Sequence, residues 1–239
     1  MKKLILILVV LFLASNTDAR GLMVVGGGTP TVVAGSNMTI DVAADLDDGW
    51  LYNSNAGSAG TLDTNGSSGQ ISMGESSTAG DHSFGYYRFV LSSAIPSGAT
   101  ITTATITFTA SQASSFAGWD LDADVLRVWG ENQADPAQID NATDSPIYAG
   151  AGETAVPLTT AYVDWTPSAW TANTAYASPD IKTIIQELVN DHTGLAQNAH
   201  IQIWVAADVA VTGGAETLYV YEYAHATGAT AQLYIAWTE

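Results

Sequence analysis

The chain has 239 residues, of which 47% are hydrophobic and 13% are charged, so it has enough apolar side chains for a folded core and is not disordered by composition. Lys and Arg number 6 against 24 Asp and Glu, a formal net charge of −18 at pH 7, and we therefore expect no nucleic-acid binding. The chain contains no cysteine, which excludes disulfides, thiolate metal sites and a cysteine nucleophile.

Residues 1–19 have the pattern of a secretory signal peptide. Lys2 and Lys3 precede an apolar run over residues 4–13, and Ala19 closes a short polar stretch with small residues before the expected cut. The apolar run is about half as long as a helix that spans a bilayer, so we expect no stable membrane anchor. The pattern predicts a secreted, extracellular protein.

Residues 20–36 predict a leader strand followed by a glycine-rich linker. The apolar segment Leu22–Val25 has the composition of a strand, and the three glycines at 26–28 follow it directly. We expect this segment to lie outside the folded domain.

From residue 37 to residue 239, short β-type runs alternate with clusters of Gly, Ser, Asn and Asp, which is typical of a sandwich. In one run, Ala104, Ile106 and Phe108 alternate with threonines, as in a half-buried strand. The fold predicted is all-β: a single jelly-roll-like antiparallel β-sandwich. Its strands are expected at 38–44, 69–73, 84–91, 101–109, 124–130, 161–165, 200–207, 217–224 and 231–237.

One short amphipathic helix interrupts the β pattern. Ser178 is expected to cap it, Pro179 to occupy its first position, and the helix to end near Gly194. One apolar stripe runs along the helix at positions 181, 184, 185, 188 and 189. We expect this stripe to pack on the sandwich and close one of its open ends.

The chain resembles a family of extracellular modules, the DNRLRE-type carbohydrate-binding-like domains, in the order of five segments. They are Tyr86–Phe89, Ile95–Ile106, Leu126–Glu131, Val163–Trp170 and Pro179–Asn190. The resemblance implies a jelly-roll-like sandwich in an exported protein, sugar binding in some relatives, and no catalysis. Short stand-alone proteins of this kind also resemble products of phage or prophage genomes. We expect both tryptophans of the fourth segment to pack in the core.

Catalytic motifs are not found in the sequence. The four histidines, His82, His192, His200 and His225, lack the close spacing of a zinc site, and no G-x-S-x-G nucleophile elbow occurs. The many acidic residues do not single out the carboxylate pair that a glycosidase needs. We therefore expect the protein not to be an enzyme.

Two acidic clusters are candidate calcium sites, because Ca²⁺ prefers about six to eight hard oxygen ligands. Their members are Asp45, Asp47 and Asp48 in the first cluster, and Asp120, Asp122 and Asp124 in the second. Val125 stands where an EF-hand loop needs glycine, so the second cluster is not an EF-hand. Solvated loops in an acidic protein explain both clusters without a metal.

Aromatic residues of the last three predicted strands are the candidate ligand-binding residues. They are Trp204, Tyr219, Tyr221 and Tyr234. If 217–224 and 231–237 form a hairpin, the three tyrosines share one surface on which sugar rings can stack. Cross-strand packing of good strand formers is the alternative explanation.

Together these observations predict a secreted, non-catalytic binding or adhesion module that recognises an extracellular polysaccharide or a cell-surface glycan. The alternative is a structural surface protein, such as a phage virion adhesin or an extracellular fibre subunit. In that alternative, self-association occurs by addition of Leu22–Val25 to the sheet edge of a neighbouring copy.

Overall fold

The structure is a computed structural model that describes residues 35–54, 61–63, 69–75, 81–113, 115–116, 125–139, 156–207, 216–223, 225 and 229–239. Within these ranges the chain forms thirteen strands and one α-helix. They are β1 (Gly35–Asp41), β2 (Asp48–Ser54), β3 (Thr61–Asp63), β4 (Gln70–Glu75), β5 (Asp81–Val90), β6 (Thr100–Thr109), β7 (Ser115–Phe116), β8 (Leu126–Glu131), β9 (Leu158–Trp165), β10 (Ala175–Ala177), α1 (Lys182–Asp191), β11 (His200–Ala207), β12 (Glu216–Tyr221) and β13 (Gln232–Thr238).

The strands form two sheets, and all the pairings among the named strands are antiparallel. The small sheet has the order β1-β13-β6-β10. The large sheet has the order β7-β12-β4-β5-β11-β8-β9, and β2 joins it through β5 and carries β3. Apolar side chains of both sheets form one shared core. The predicted all-β antiparallel sandwich is confirmed.

The core follows from the alternation of apolar and polar residues along each strand. In β6, Ile106 and Phe108 are fully buried while the threonines between them are half-buried, as predicted. Ile106 lies opposite Leu233 of β13 within the small sheet. Across the core, the Phe108 ring lies 4.9 Å from the ring of Tyr87 in the large sheet. The aromatic pair therefore joins the two layers.

Trp165 and Trp170 are both buried, which confirms the expected packing of the two tryptophans. The Trp165 ring stacks on Phe108 at 5.9 Å and lies 5.7 Å from Trp170. Trp170 in turn stacks on Tyr176 at 4.7 Å. These rings extend the core to the end of β9, the edge strand of the large sheet.

The helix α1 closes one end of the sandwich, as predicted, since it contacts β6 of the small sheet and both β8 and β9 of the large sheet. All five positions of its apolar stripe are buried. After the helix, the Gly194 N–H donates to the Val189 carbonyl at 2.8 Å with a φ of +95°. Among the described residues, no helix is long and apolar enough to cross a membrane.

The helix begins later than the sequence predicts, at Lys182. Ser178 does not cap it: its hydroxyl accepts a hydrogen bond from the N–H of Ile106 at 3.0 Å, and its own N–H donates to the Ile106 carbonyl. Asp180 accepts from the N–H of Ala104 at 2.9 Å and from Lys182 at 3.0 Å. Residues 178–181 therefore continue along the edge of β6, and pairing with that edge replaces the predicted first turn.

The strand β1 starts at Gly35, inside the range predicted as linker. The predicted signal peptide and the leader segment Leu22–Val25 lie outside the described residues.

Candidate functional site

Four aromatic side chains lie side by side across the large sheet, on the face that points away from the sandwich core. Tyr86 of β5 is paired with Trp204 of β11, Trp204 with Trp129 of β8, and Trp129 with Tyr162 of β9. The rings of Tyr86 and Trp204 are 5.5 Å apart. We call these four residues the aromatic row; the register of four strands brings them to one level of the sheet.

Solvent exposure increases along the aromatic row from the middle of the sheet to its edge. Tyr86 and Trp204 are fully buried, and Trp129 is half-buried. Tyr162 is 49% exposed, which makes it the most exposed large hydrophobic side chain in the described part of the chain. The row therefore has a covered end and an open end.

The covered end lies beneath the segment that follows β8. Ile139 is buried in one apolar cluster with the two inner rings of the row, Tyr86 and Trp204. Arg88 holds the segment, because its guanidinium donates to the Pro136 carbonyl at 3.0 Å and forms an ion pair with Asp47 at 2.7 Å. Gln138 donates to the same Asp47 carboxylate at 3.2 Å. These polar contacts to Pro136 and Gln138 hold the segment 136–139 in place.

The open end carries a charged pair beside the exposed ring. The Arg127 guanidinium carbon lies 4.0 Å from the centre of the Tyr162 ring and 5.9 Å from that of Trp129. Arg127 also donates to both carboxylate oxygens of Asp164, at 2.6 and 3.3 Å. We call Arg127, Trp129, Tyr162 and Asp164 the Tyr162 surface.

The Tyr162 surface has the chemistry that a sugar requires. An aromatic ring stacks on the apolar face of a pyranose, and guanidinium donors and carboxylate acceptors bond its hydroxyl groups. The Asp164 and Arg127 side chains are 47% and 21% exposed, so solvent reaches both. Packing against Arg127 holds the Tyr162 ring on a rigid strand, which reduces the entropy lost when a ligand binds.

A polar groove with a volume of about 480 Å³ lies beside this surface, along the outward side of α1. Its lining includes Asn132, Thr160, Thr183, Glu187, Asn190 and Asp191. This volume is within the range of small-molecule sites in proteins. Thr160 connects the two regions, because it lines the groove and shares the exposed side of β9 with Tyr162.

Glu187 fixes the wall of the groove by joining α1 to β9. Its carboxylate accepts from the Thr160 N–H at 2.6 Å, from the Thr160 hydroxyl at 3.0 Å and from the Ala161 N–H at 2.6 Å. Asp191 accepts from Asn132 at 2.9 Å across the same groove. The helix therefore cannot shift along the strand without breaking these bonds.

No family model matches the chain, and no curated protein matches it. The resemblance to DNRLRE-type domains stays a prediction that rests on the order of its segments.

The structure does not place Trp204 on an exposed surface, and that prediction is wrong. Its side chain is fully buried, at 0% exposure, among Leu51, Phe84, Tyr86 and Ile139. Alternation correctly assigns Trp204 to the side of β11 opposite the sandwich core, but a second apolar cluster covers that side. Trp204 is therefore a buried member of the aromatic row.

The structure also separates the three predicted tyrosines, because 217–224 and 231–237 do not form a hairpin. Tyr219 and Tyr221 lie on β12 in the large sheet, while Tyr234 lies on β13 in the small sheet. Tyr221 is buried, and its hydroxyl donates to Asn173 at 2.6 Å. Tyr219 and Tyr234 are half-buried. The predicted shared tyrosine surface is therefore wrong.

The described part of the first acidic cluster does not converge on a metal. Asp47 is paired with Arg88, and Asp48 accepts from the N–H of Tyr223 at 3.0 and 3.3 Å. Asp45 precedes them in a short 3₁₀ turn. Among the described residues, no group of three His, Asp or Glu side chains is placed to hold a metal ion. Asp120, Asp122 and Asp124 lie outside the described residues, and their calcium site stays a prediction.

The acidity of the Asp48 carboxyl is strongly changed by its surroundings. Burial is the main cause that raises its pKa to about 8; the hydrogen bond from the Tyr223 N–H opposes the change, and the nearby carboxyls of Glu222, Asp45 and Asp47 act in the same direction as burial. The side chain is only 1% exposed. It is therefore a buried structural group that no ligand reaches directly.

Sequence reasoning missed Tyr162, Arg127 and Asp164, although a signal was present. In 158–165, Thr160, Tyr162 and Asp164 alternate with the more apolar Ala161, Val163 and Trp165. The same period places Arg127 and Trp129 opposite Leu126 and Val128. Alternation identifies these outward positions, but it does not show that β8 and β9 are neighbours.

Proposed function

We propose that the protein is a secreted, non-catalytic module that binds a polysaccharide through the Tyr162 surface. The observation that carries this proposal is the exposed Tyr162 ring, fixed by Arg127 and flanked by Asp164 at the edge of a rigid sheet. Aromatic rings of this kind combine a flat apolar face with polar groups at the rim. Glycans outside the cell are the ligands that this chemistry suits.

The secreted location is part of the same proposal and follows from the signal-peptide pattern at residues 1–19. The acidic composition fits it, since a net charge of −18 keeps the protein soluble and away from anionic lipid.

The experiment is a binding screen of the purified protein on an array of polysaccharides, with two matched variants. Tyr162→Ala removes the exposed ring of the site, whereas Tyr223→Ala removes a tyrosine of similar exposure, 40%, outside the aromatic row. We expect wild type and Tyr223→Ala to bind alike, and Tyr162→Ala to lose about tenfold in affinity. Free oligosaccharide should compete with the array.

Two results contradict the proposal. One is a wild-type protein that binds no polysaccharide on the array. The other is equal binding by Tyr162→Ala and Tyr223→Ala at unchanged thermal stability.

A second candidate function, assembly by strand addition, has one supporting observation. Among the described strands, β1 is at the end of the small sheet with β13 as its one neighbour, and it follows the predicted leader in the chain. Leu22–Val25 of a neighbouring copy could pair with the other edge of β1. Deletion of residues 20–34 from the exported protein tests this: loss of polymers with an unchanged melting temperature supports it, and a monomeric full chain contradicts it.

A further inference from the structure

The groove along α1 adjoins the Tyr162 surface at strand β9. Thr160 and Tyr162 are two positions apart on the same side of the strand, which is a distance of about 7 Å. The ring and the groove are therefore close enough for one extended chain of sugar units to touch both.

The lining of the groove differs from the Tyr162 surface in having no aromatic side chain. Besides Ile101 and Lys182, its side chains are hydroxyls, amides and carboxylates, which donate and accept hydrogen bonds. The ring can hold the apolar face of one sugar unit, and the groove can hold the hydroxyl groups of the next. Glu187 fixes the wall through bonds to β9, so these groups are already in place before a ligand arrives.

Charge restricts the ligand further. All three cations in the described part of the chain already lie beside carboxylates: Arg88 beside Asp47, Arg127 beside Asp164 and Lys182 beside Asp180. The groove is lined by the carboxylates of Glu187 and Asp191 and by one cation, Lys182, whose charge is paired with Asp180. A uronate or sulfate ester would therefore meet negative charge along its path.

From this geometry we infer that the groove is a second binding subsite, and that the ligand is an uncharged polysaccharide with at least two sugar units bound at once. The inference rests on the proposed function, because the Tyr162 ring holds the first unit. Beyond the proposed function, it specifies that at least two sugar units are bound and that the polysaccharide is uncharged.

Calorimetry tests both additions with named probes. Cello-, xylo-, manno- and N-acetylchito-hexamers and their monosaccharides serve as the uncharged ligands, and oligomers of alginate and polygalacturonate serve as the acidic ones. Thr183→Arg fills the groove from an exposed helix position, and Thr39→Arg makes the same change at an exposed position of the small sheet. Melting temperatures show whether each variant folds.

We expect wild type to bind at least one uncharged hexamer more tightly than its monosaccharide. Thr183→Arg should weaken the hexamer about fivefold or more while leaving the monosaccharide unchanged, and Thr39→Arg should change neither. Equal loss with Thr39→Arg would mean that added charge, not the groove, is responsible, and would overturn the subsite.

The remaining outcomes distinguish a failure of the second subsite from a failure of the proposed function. Binding that depends on Tyr162 but not on Thr183 overturns the subsite and leaves the proposed function intact. Binding only to acidic oligomers overturns the uncharged class and also leaves the function intact. Binding to none of the probes overturns both.

Discussion

Arg127 lies over the ring of Tyr162 at 4.0 Å and holds both carboxylate oxygens of Asp164. The three residues come from adjacent strands, β8 and β9, at the edge of the large sheet. A guanidinium group is planar, so it can stack on a ring and form a bidentate pair at once, which lysine cannot do. This relationship makes the edge of the sheet a fixed surface.

The ion pair between Arg127 and Asp164 should contribute little to stability. Both side chains are partly exposed, and pairs of this kind give below about 1 kcal/mol. A double-mutant cycle with Arg127→Ala, Asp164→Ala and the double variant, measured by urea unfolding, gives the coupling energy. A coupling of several kcal/mol would instead assign the pair to the scaffold and weaken its assignment as ligand-binding.

Trp204→Ala should destabilise the fold by about 3–5 kcal/mol, because it removes a fully buried indole from the cluster beneath residue 139. Tyr162→Ala, at the open end of the same row, should cost much less. Urea unfolding of both variants compares the two ends directly. Similar small losses for both would show that Trp204 is exposed, as the sequence alone suggested.

Local patterns in the sequence predicted the layers of this fold well. The alternation in β6 and the apolar stripe of α1 each depend on neighbours within one element, and the predicted range 200–207 coincides with β11. These are short-range signals of period two or 3.6. Strands β2, β3, β7 and β10 were missed; β3, β7 and β10 have at most three residues and form through pairing with distant strands.

The Tyr162 surface was harder to predict because it depends on which strands are neighbours. Trp204 and Tyr162 both face away from the core, but Trp204 is buried in a second apolar cluster that includes Ile139, whereas Tyr162 lies on the edge strand β9 and is exposed. Tyr219 and Tyr234 lie on consecutive strands that belong to different sheets. Strand order and covering loops are long-range properties that alternation does not encode.

Gly130→Ala should separate α1 from β8. A Cβ atom at this position would lie 2.8 Å from the Ile184 Cγ2 and 3.2 Å from the Thr159 Cγ2. Overpacking of this kind typically costs about 1–3 kcal/mol. Urea unfolding measures the loss, and Ile184→Ala in the same chain should recover part of it, so that the two changes are less than additive. Strict additivity would contradict the close contact.

Asp48 should make the protein less stable as pH rises. Its folded pKa is about 8, against 3.8 for the ordinary group, so between these values the folded state holds a proton that the unfolded state has released. The free energy of unfolding should therefore fall by up to about 1.4 kcal/mol per pH unit in this window and level off above the folded pKa. The neighbouring Tyr87 is buried, and burial raises the pKa of its hydroxyl, so this group carries no charge that could offset an ionised Asp48.

Asp48→Asn removes this titration while keeping an oxygen that can accept from the N–H of Tyr223. We expect the free energy of unfolding of Asp48→Asn to change little from about pH 5 to 8, the range in which that of the wild type falls. At pH 8 it should be higher than the wild-type value. Asp41→Asn, at an exposed carboxyl bonded to Gln232, is the control and should follow the wild-type curve. Parallel curves for Asp48→Asn and wild type across this range would show that Asp48 is ionised in the fold, because only a protonated buried carboxyl gives the predicted slope.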